Sequence, residues 1–290
     1  MSHPSFRQLL DDHHAKNGRP ISHDSPVALP RHVTSTIQIT GPTCSGKTHL
    51  LYHFLASLTL PSTSLNGHVV ILDTDSRFSA IRLQSILLRQ AVSSTAGGQL
   101  RSALEKIHIF RPSSTASILT TIHSLPSYLH SLPITSQQHH RLAAIMLDSA
   151  SAFFYQDLAS SQAGPHLPGP NLNPRLSSTI MPSLRLLQQT YHCLLVTTSR
   201  YPSRIYGPQV LNLRTRRLVP SPFGPGLSME EALRDRDQRQ QVMERGIYKC
   251  SVVENRDERD APLHGGHDLA NAGFRFRIGS DGVQIMQESD

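Results

Sequence analysis

Cysteine is scarce in this sequence, and its placement argues against two kinds of chemistry. Cys44, Cys193 and Cys250 are far apart and odd in number, so neither a disulfide framework nor a cysteine-held zinc site is expected, and a reducing compartment is consistent with the chain. Long apolar runs are lacking too. No stretch approaches the ~20 residues that span a bilayer, and the opening segment MSHPSFRQLLDDHHAKNGRP has no apolar core of the kind a signal peptide needs. The expectation is a soluble intracellular protein with no membrane partner. Histidine is plentiful at 17 residues, but no pair combines i, i+4 helical spacing with an acidic partner as a zinc helix does. These histidines read as scattered surface and loop residues.

Acidic residues are missing altogether between Asp157 and Glu230, while Arg175, Arg185, Arg200, Arg204, Arg214, Arg216 and Arg217 fall inside that interval. The whole net charge of +7 therefore lies in one quarter of the chain. Its bases are arginines, in line with 24 Arg to 4 Lys overall. Phosphate-backbone binding uses such a segment, through counterion release and forked Arg–phosphate hydrogen bonds. A solvated basic loop, or a surface for an acidic protein partner, would look the same from charge alone. With 290 residues and 38% hydrophobic content, one α/β domain with extensions is the simplest fit.

What is present is most specific at residues 41 to 48. The octapeptide GPTCSGKT (Gly41, Pro42, Thr43, Cys44, Ser45, Gly46, Lys47, Thr48) is a complete G-x-x-x-x-G-K-[ST] phosphate-binding loop, preceded by an apolar run with Ile37 and Ile39 and followed by a helix-compatible stretch. The two glycines let successive N–H groups converge on a phosphate at a positive helix N-terminus. Lys47 is expected to reach the β- and γ-phosphates, and the Thr48 hydroxyl to ligate Mg²⁺. The apolar strand AAIMLD ends at Asp148, 101 residues after Lys47, where a carboxylate would hold the water shell of that metal.

Strand and helix signals alternate along the chain. Residues 1–33 read as a flexible N-terminal extension, and 34–290 as one core. Strands are expected at Thr36 to Thr40, over HVVILDTD, at Ile107 to Phe110, over AAIMLD and over CLLVTT, with helices between them. One helix should end at Ala96-Gly97-Gly98, and another, about Ala116 to Leu129, has Pro126 as a point of breakage. Residues 160–175 and 200–226 read as irregular loops, 228–245 as a solvated helix, and GIYKCSVVE and FRFRIGSDGVQI as terminal antiparallel strands with an Asp281-Gly282 turn. Such alternation implies a parallel sheet covered on both faces, with ligands at the carboxyl ends of its strands, where Asp73, Asp75 and Asp148 fall.

Several segments together resemble the RecA-type recombinase family, in its eukaryotic paralogue branch. They are GPTCSGKTHLLYH, VVILDTDSRFSAIRLQSIL, MLDSASAFFY and the terminal FRFRIGSDGVQI, and the matching stretches run from about residue 38 to 285. The resemblance implies an α/β P-loop NTPase of RecA type, with a mostly parallel central sheet, helices on both faces and a C-terminal antiparallel hairpin. It implies ATP and Mg²⁺ as cofactors, a nuclear location, other recombinase paralogue subunits as partners in a hetero-oligomer, and single-stranded or branched DNA as a target. By the same resemblance, the segments that approach DNA match residues 160–175 and 200–217, which hold Arg175, Arg200, Arg204, Arg214, Arg216 and Arg217.

Departures from the pattern limit the expected activity. Asp75 stands where active members carry the Glu that orients the attacking water, one methylene shorter, and a misplacement of about 1 Å can cost on the order of 10²-fold in rate. Ser199, followed by Arg200, stands where a phosphate-sensing Gln ends the family's strand; Arg200 as a phosphate contact of its own is an alternative. No Phe is followed by Ala three positions later, so the family's self-assembly signal is absent, and only 33 residues precede the core, which leaves no room for a helical N-terminal DNA-binding module. The expected role is an ATP-binding paralogue that assists a recombinase on DNA during homologous recombination and double-strand-break repair. An active DNA-stimulated ATPase or strand-exchange enzyme, and a small-molecule P-loop kinase, are the alternatives.

Overall fold

The computed structural model describes residues 36–60, 67–90, 96–132, 141–160, 179–200, 210–218, 246–253, 273–279 and 282–286. In chain order these form β1 (Thr36–Thr40), α1 (Lys47–Thr59), β2 (His68–Asp73), α2 (Ala80–Gln90), α3 (Ala96–Glu105), β3 (Ile107–Phe110), α4 (Thr115–Ser131) and β4 (Leu142–Asp148). There follow α5 (Phe154–Ser160), α6 (Met181–Tyr191), β5 (Leu194–Ser199), β6 (Val210–Arg217), β7 (Ile247–Val253), β8 (Gly273–Gly279) and β9 (Gly282–Met286). Among the described residues the strands make one sheet in the order β3-β2-β4-β5-β1-β6-β7-β8-β9. Neighbours are parallel from β3 across to β6 and antiparallel from β6 to β9.

Alternation along each strand sorts the apolar side chains into two layers, because successive residues point to opposite faces. Val69, Ile71, Ala144, Met146 and Val196 join α1, α2 and α3 in one core, which continues under β6 to β9 through Leu213, Tyr248, Phe276 and Ile278. Val70, Leu72, Ile145, Leu147 and Leu195 join α4 and α6 in the other, which reaches no further than Val210 at the start of β6. Among the described residues, helices therefore cover both faces of the parallel half, and one face of the antiparallel half. Among the described residues, the expected cover on both faces is seen for β3 through β1.

The α/β class, the mostly parallel sheet and the terminal antiparallel strands agree with the sequence reading, with four local corrections. Residues 210–217 are a regular strand inside the sheet, not part of an irregular stretch; V-L-N-L-R-T-R-R buries Leu211, Leu213 and Thr215 and exposes Arg214 and Arg216. Pro126 does not break α4, which runs on to Ser131 although the ring removes a donor from the Ile122 carbonyl. Ser114 caps that helix by accepting from Ser117 N at 3.1 Å. Ala96, Gly97 and Gly98 open α3 and do not end α2. A short helix, α5, follows the turn after β4. Residues 1–33, most of 160–175 and all of 228–245 lie outside the described residues.

Candidate functional site

The 41–48 loop joins β1 to α1 at the carboxyl end of the sheet. Its first residue is wedged between strands: Gly41 N donates to Ser199 O at 3.2 Å, and a Cβ there would lie 2.3 Å from the carbonyl oxygen of Thr215. Gly46 has φ +88°, and a Cβ would meet the Phe276 ring at 3.0 Å. Cys44 also takes a left-handed conformation, at φ 60°, which turns the chain around the loop's hollow. Pro42, Thr43 and Cys44 are exposed, whereas Ser45 is buried and shares a 2.8 Å hydrogen bond with Thr215, which itself donates to Thr40 O. The first bond of α1 runs from Leu50 N to Gly46 O, so the amides before it have no intrahelical acceptor, and no side chain caps them.

Charged groups converge on this loop. Lys47 Nζ donates to the carbonyls of Gly41 and Pro42, each at 2.8 Å, so its ammonium folds back over the loop. Burial lowers its pKa below the usual lysine value, against the raising fields of Asp148, Cys44 and Asp75; the Arg200 charge adds to the lowering. Thr48 Oγ1 donates to Asp148 at 3.1 and 3.3 Å, and Thr198 Oγ1 donates to Asp148 Oδ1 at 2.6 Å. Burial raises the pKa of Asp148, the bonds from Thr198 and Thr48 lower it, and Asp73 and Asp75 raise it. Ser149 N in turn donates to Thr198 Oγ1 at 2.7 Å, which fixes the carboxylate's support from behind.

These residues fit the groups that the motif implies. A partly buried ammonium held by two backbone carbonyls, beside helix-start amides without intrahelical acceptors, suits an anionic phosphate. A hydroxyl and one carboxylate in contact form the oxygen donor set that Mg²⁺ takes with phosphate and water. Among the described residues no group of three or more His, Cys, Asp or Glu is placed to hold a metal by itself. Gly41 leaves no space for a side chain on the Thr215 side.

The other sequence-selected residues separate. Asp73 is fully buried and serves structure: it accepts from Arg77 N and Phe78 N, each at 3.2 Å, and from Arg111 Nε at 3.2 Å. Asp75, two residues on, is exposed, and its charge is felt at Lys47 and Asp148. Ser199 is buried in the strand end, while Arg200 is exposed and its N–H donates to Ser151 Oγ at 3.4 Å. Arg175 and Arg204 lie outside the described residues. Arg214 and Arg216 share one face of β6; Arg217, next along the strand, turns to the other, with its guanidinium 6.0 Å from the Tyr248 ring centroid. Thr198, Thr215 and Phe276, which shape the site, were not singled out in the sequence, because a Thr or Phe in an alternating strand carries no distinguishing pattern.

No protein-family model matches the chain. It is similar to the DNA repair protein XRCC2 of the mouse, Mus musculus, at 31% identity over 139 residues, which is 47% of this chain and 45% of that protein. The chain thus spans about half the length of the curated relative it matches.

Proposed function

We propose that this chain is an ATP-binding recombinase paralogue that acts in homologous recombination and DNA double-strand-break repair. The observation that carries the reading is the convergence of Lys47, Thr48 and Asp148 at one helix start, in a chain similar to a DNA repair protein. Residues 41 to 48 would hold the phosphates of ATP, Thr48 the Mg²⁺, and Asp148 its water shell. When bound, the metal would neutralise phosphate charge. The partners would be other recombinase paralogue subunits, with single-stranded or branched DNA as the target and the nucleus as the location.

Nucleotide serves mainly as a conformational and assembly ligand in this reading. Asp75 is one methylene short of the water-positioning Glu, and the buried Ser199 stands where a phosphate-sensing Gln would be. A second reading, a DNA-stimulated ATPase, rests on Asp75, whose charge is felt at both Lys47 and Asp148. Phosphate release stimulated by single-stranded DNA and abolished by Asp75→Asn would favour it.

Thermal unfolding of the full chain tests the nucleotide claim. ATP with Mg²⁺ at 100 times its dissociation constant is expected to stabilise wild type by ~2.7 kcal/mol, and Lys47→Ala to remove the effect. Equal melting with and without nucleotide would refute it. Recovery of no recombinase relative with the tagged chain from cell extract would refute the complex while leaving nucleotide binding intact.

A further inference from the structure

The antiparallel half of the sheet carries an unusual second face. Residues directly opposite on neighbouring strands point the same way, and the register sets Arg216 opposite Lys249 and Lys249 opposite Arg275. Arg214 and Arg277 lie two residues along β6 and β8 from that row, hence on the same face. The four arginines are exposed and Lys249 is half-buried. On the reverse face the same strands bury Thr215, Tyr248, Cys250, Phe274, Phe276 and Ile278.

Nothing among the described residues of β6 to β9 balances this charge, since these strands contain no Asp or Glu. Like charges directly opposite each other destabilise a sheet, and here three cations stand in a row across three strands. Strands are ~4.8 Å apart and alternate residues ~6.8 Å apart, so the five cations lie within roughly two Debye lengths at physiological salt. Within the described strands these cations repel one another. A polyanion laid across the face would relieve that repulsion.

We infer that the outer face of β6, β7 and β8 is a nucleic-acid docking surface that grips the phosphate backbone through Arg214, Arg216, Lys249, Arg275 and Arg277. Four of the five are arginines, whose planar forks match phosphate oxygens in pairs. The described residues of this face include no aromatic ring on which a base could stack, so the contact reads backbone charge and not sequence. Lys249, Arg275 and Arg277 fall outside the acid-free segment of the sequence, and only the strand register brings them together with Arg214 and Arg216. The surface shares with the proposed function the expectation of a nucleic-acid partner, but it does not depend on the nucleotide site.

Binding of a fluorescent single-stranded oligonucleotide to the full chain, titrated against salt, tests the inference. Five backbone contacts predict a slope of log affinity on log salt near −3.5, or a loss of about 100-fold between 50 and 200 mM salt. Arg275→Gln with Arg277→Gln should make the slope shallower by about 1.4, whatever the oligonucleotide sequence. Arg89→Gln with Arg101→Gln removes the same charge from exposed helical positions and should leave the slope unchanged. Equal loss in both pairs, or none in the first, overturns the inference, as would displacement by polyglutamate as effective as by oligonucleotide, which would assign the face to an acidic protein. Lys47→Ala should abolish the ATP effect and leave the salt slope intact, so failure of the nucleotide reading and failure of this one are told apart.

Discussion

The parallel half of the sheet, from β3 across to β1, lies between two helical layers, whereas β7 and β8 have a core on one face and cations on the other. In the first half, burial on both faces leaves polar chemistry only at the strand ends, and there Asp148, Thr198 and the 41–48 loop meet. In the second half, Arg214, Arg216, Arg275 and Arg277 on the outer face are exposed, so these side chains are chosen by solvent or by a partner. The halves are joined by β6, whose Thr215 bonds Ser45 of the loop on one face while Arg214 and Arg216 point out from the other.

Phe276→Ala is expected to have the largest effect on this comparison. The ring is fully buried, stacked on Tyr248 at 5.3 Å between centroids, and lies under Gly46. Truncation should cost about 3–5 kcal/mol of stability in urea unfolding and weaken nucleotide binding as well. Unchanged nucleotide affinity in the folded variant would show that the antiparallel half does not support the site.

Acid should act next, and on α1 rather than on the basic face. Burial, with the Arg82 charge adding to it, depresses the His49 pKa to about 4 from the usual 6.5. The unfolded chain then takes up the proton first, so the stability associated with neutral His49 is fully present above pH 6.5 and is lost as pH falls towards 4. At about 1.4 kcal/mol per pKa unit, roughly 2 kcal/mol should disappear between pH 7 and 5. His53 shifts in the same direction through burial. His49→Gln should flatten the profile, and Arg275→Gln should not.

The smallest effect is the most particular to the second half. Lys249 sits between Arg216 and Arg275, so Lys249→Gln should raise stability by about 0.2–1 kcal/mol. A loss in urea unfolding would mean that the row is not under charge strain.

Much of the parallel half was legible in the sequence. β-branched runs with turn residues at their ends marked its strands, and GPTCSGKT with Asp148 marked the site's first ligands. The loop's supports were not legible, because Thr198, Thr215 and Phe276 matter through distant neighbours, Asp148 lying 50 residues from Thr198 and Ser45 170 from Thr215. In β6, arginines and the flanking Pro208 and Pro220 concealed an alternation that burial of Leu211, Leu213 and Thr215 makes plain. Grouping Arg217 with Arg214 and Arg216 was natural from charge, but a period of two separates it from both. Lys249, Arg275 and Arg277 could join the basic face only once β6 to β8 were in register.

The most direct measurement of the account is ATP stabilisation and salt-dependent DNA affinity determined together for wild type, Lys47→Ala and the Arg275→Gln, Arg277→Gln pair. Lys47→Ala is expected to lose the first and keep the second, and the arginine pair to do the reverse. Loss of both properties in both variants, or of neither, would contradict it.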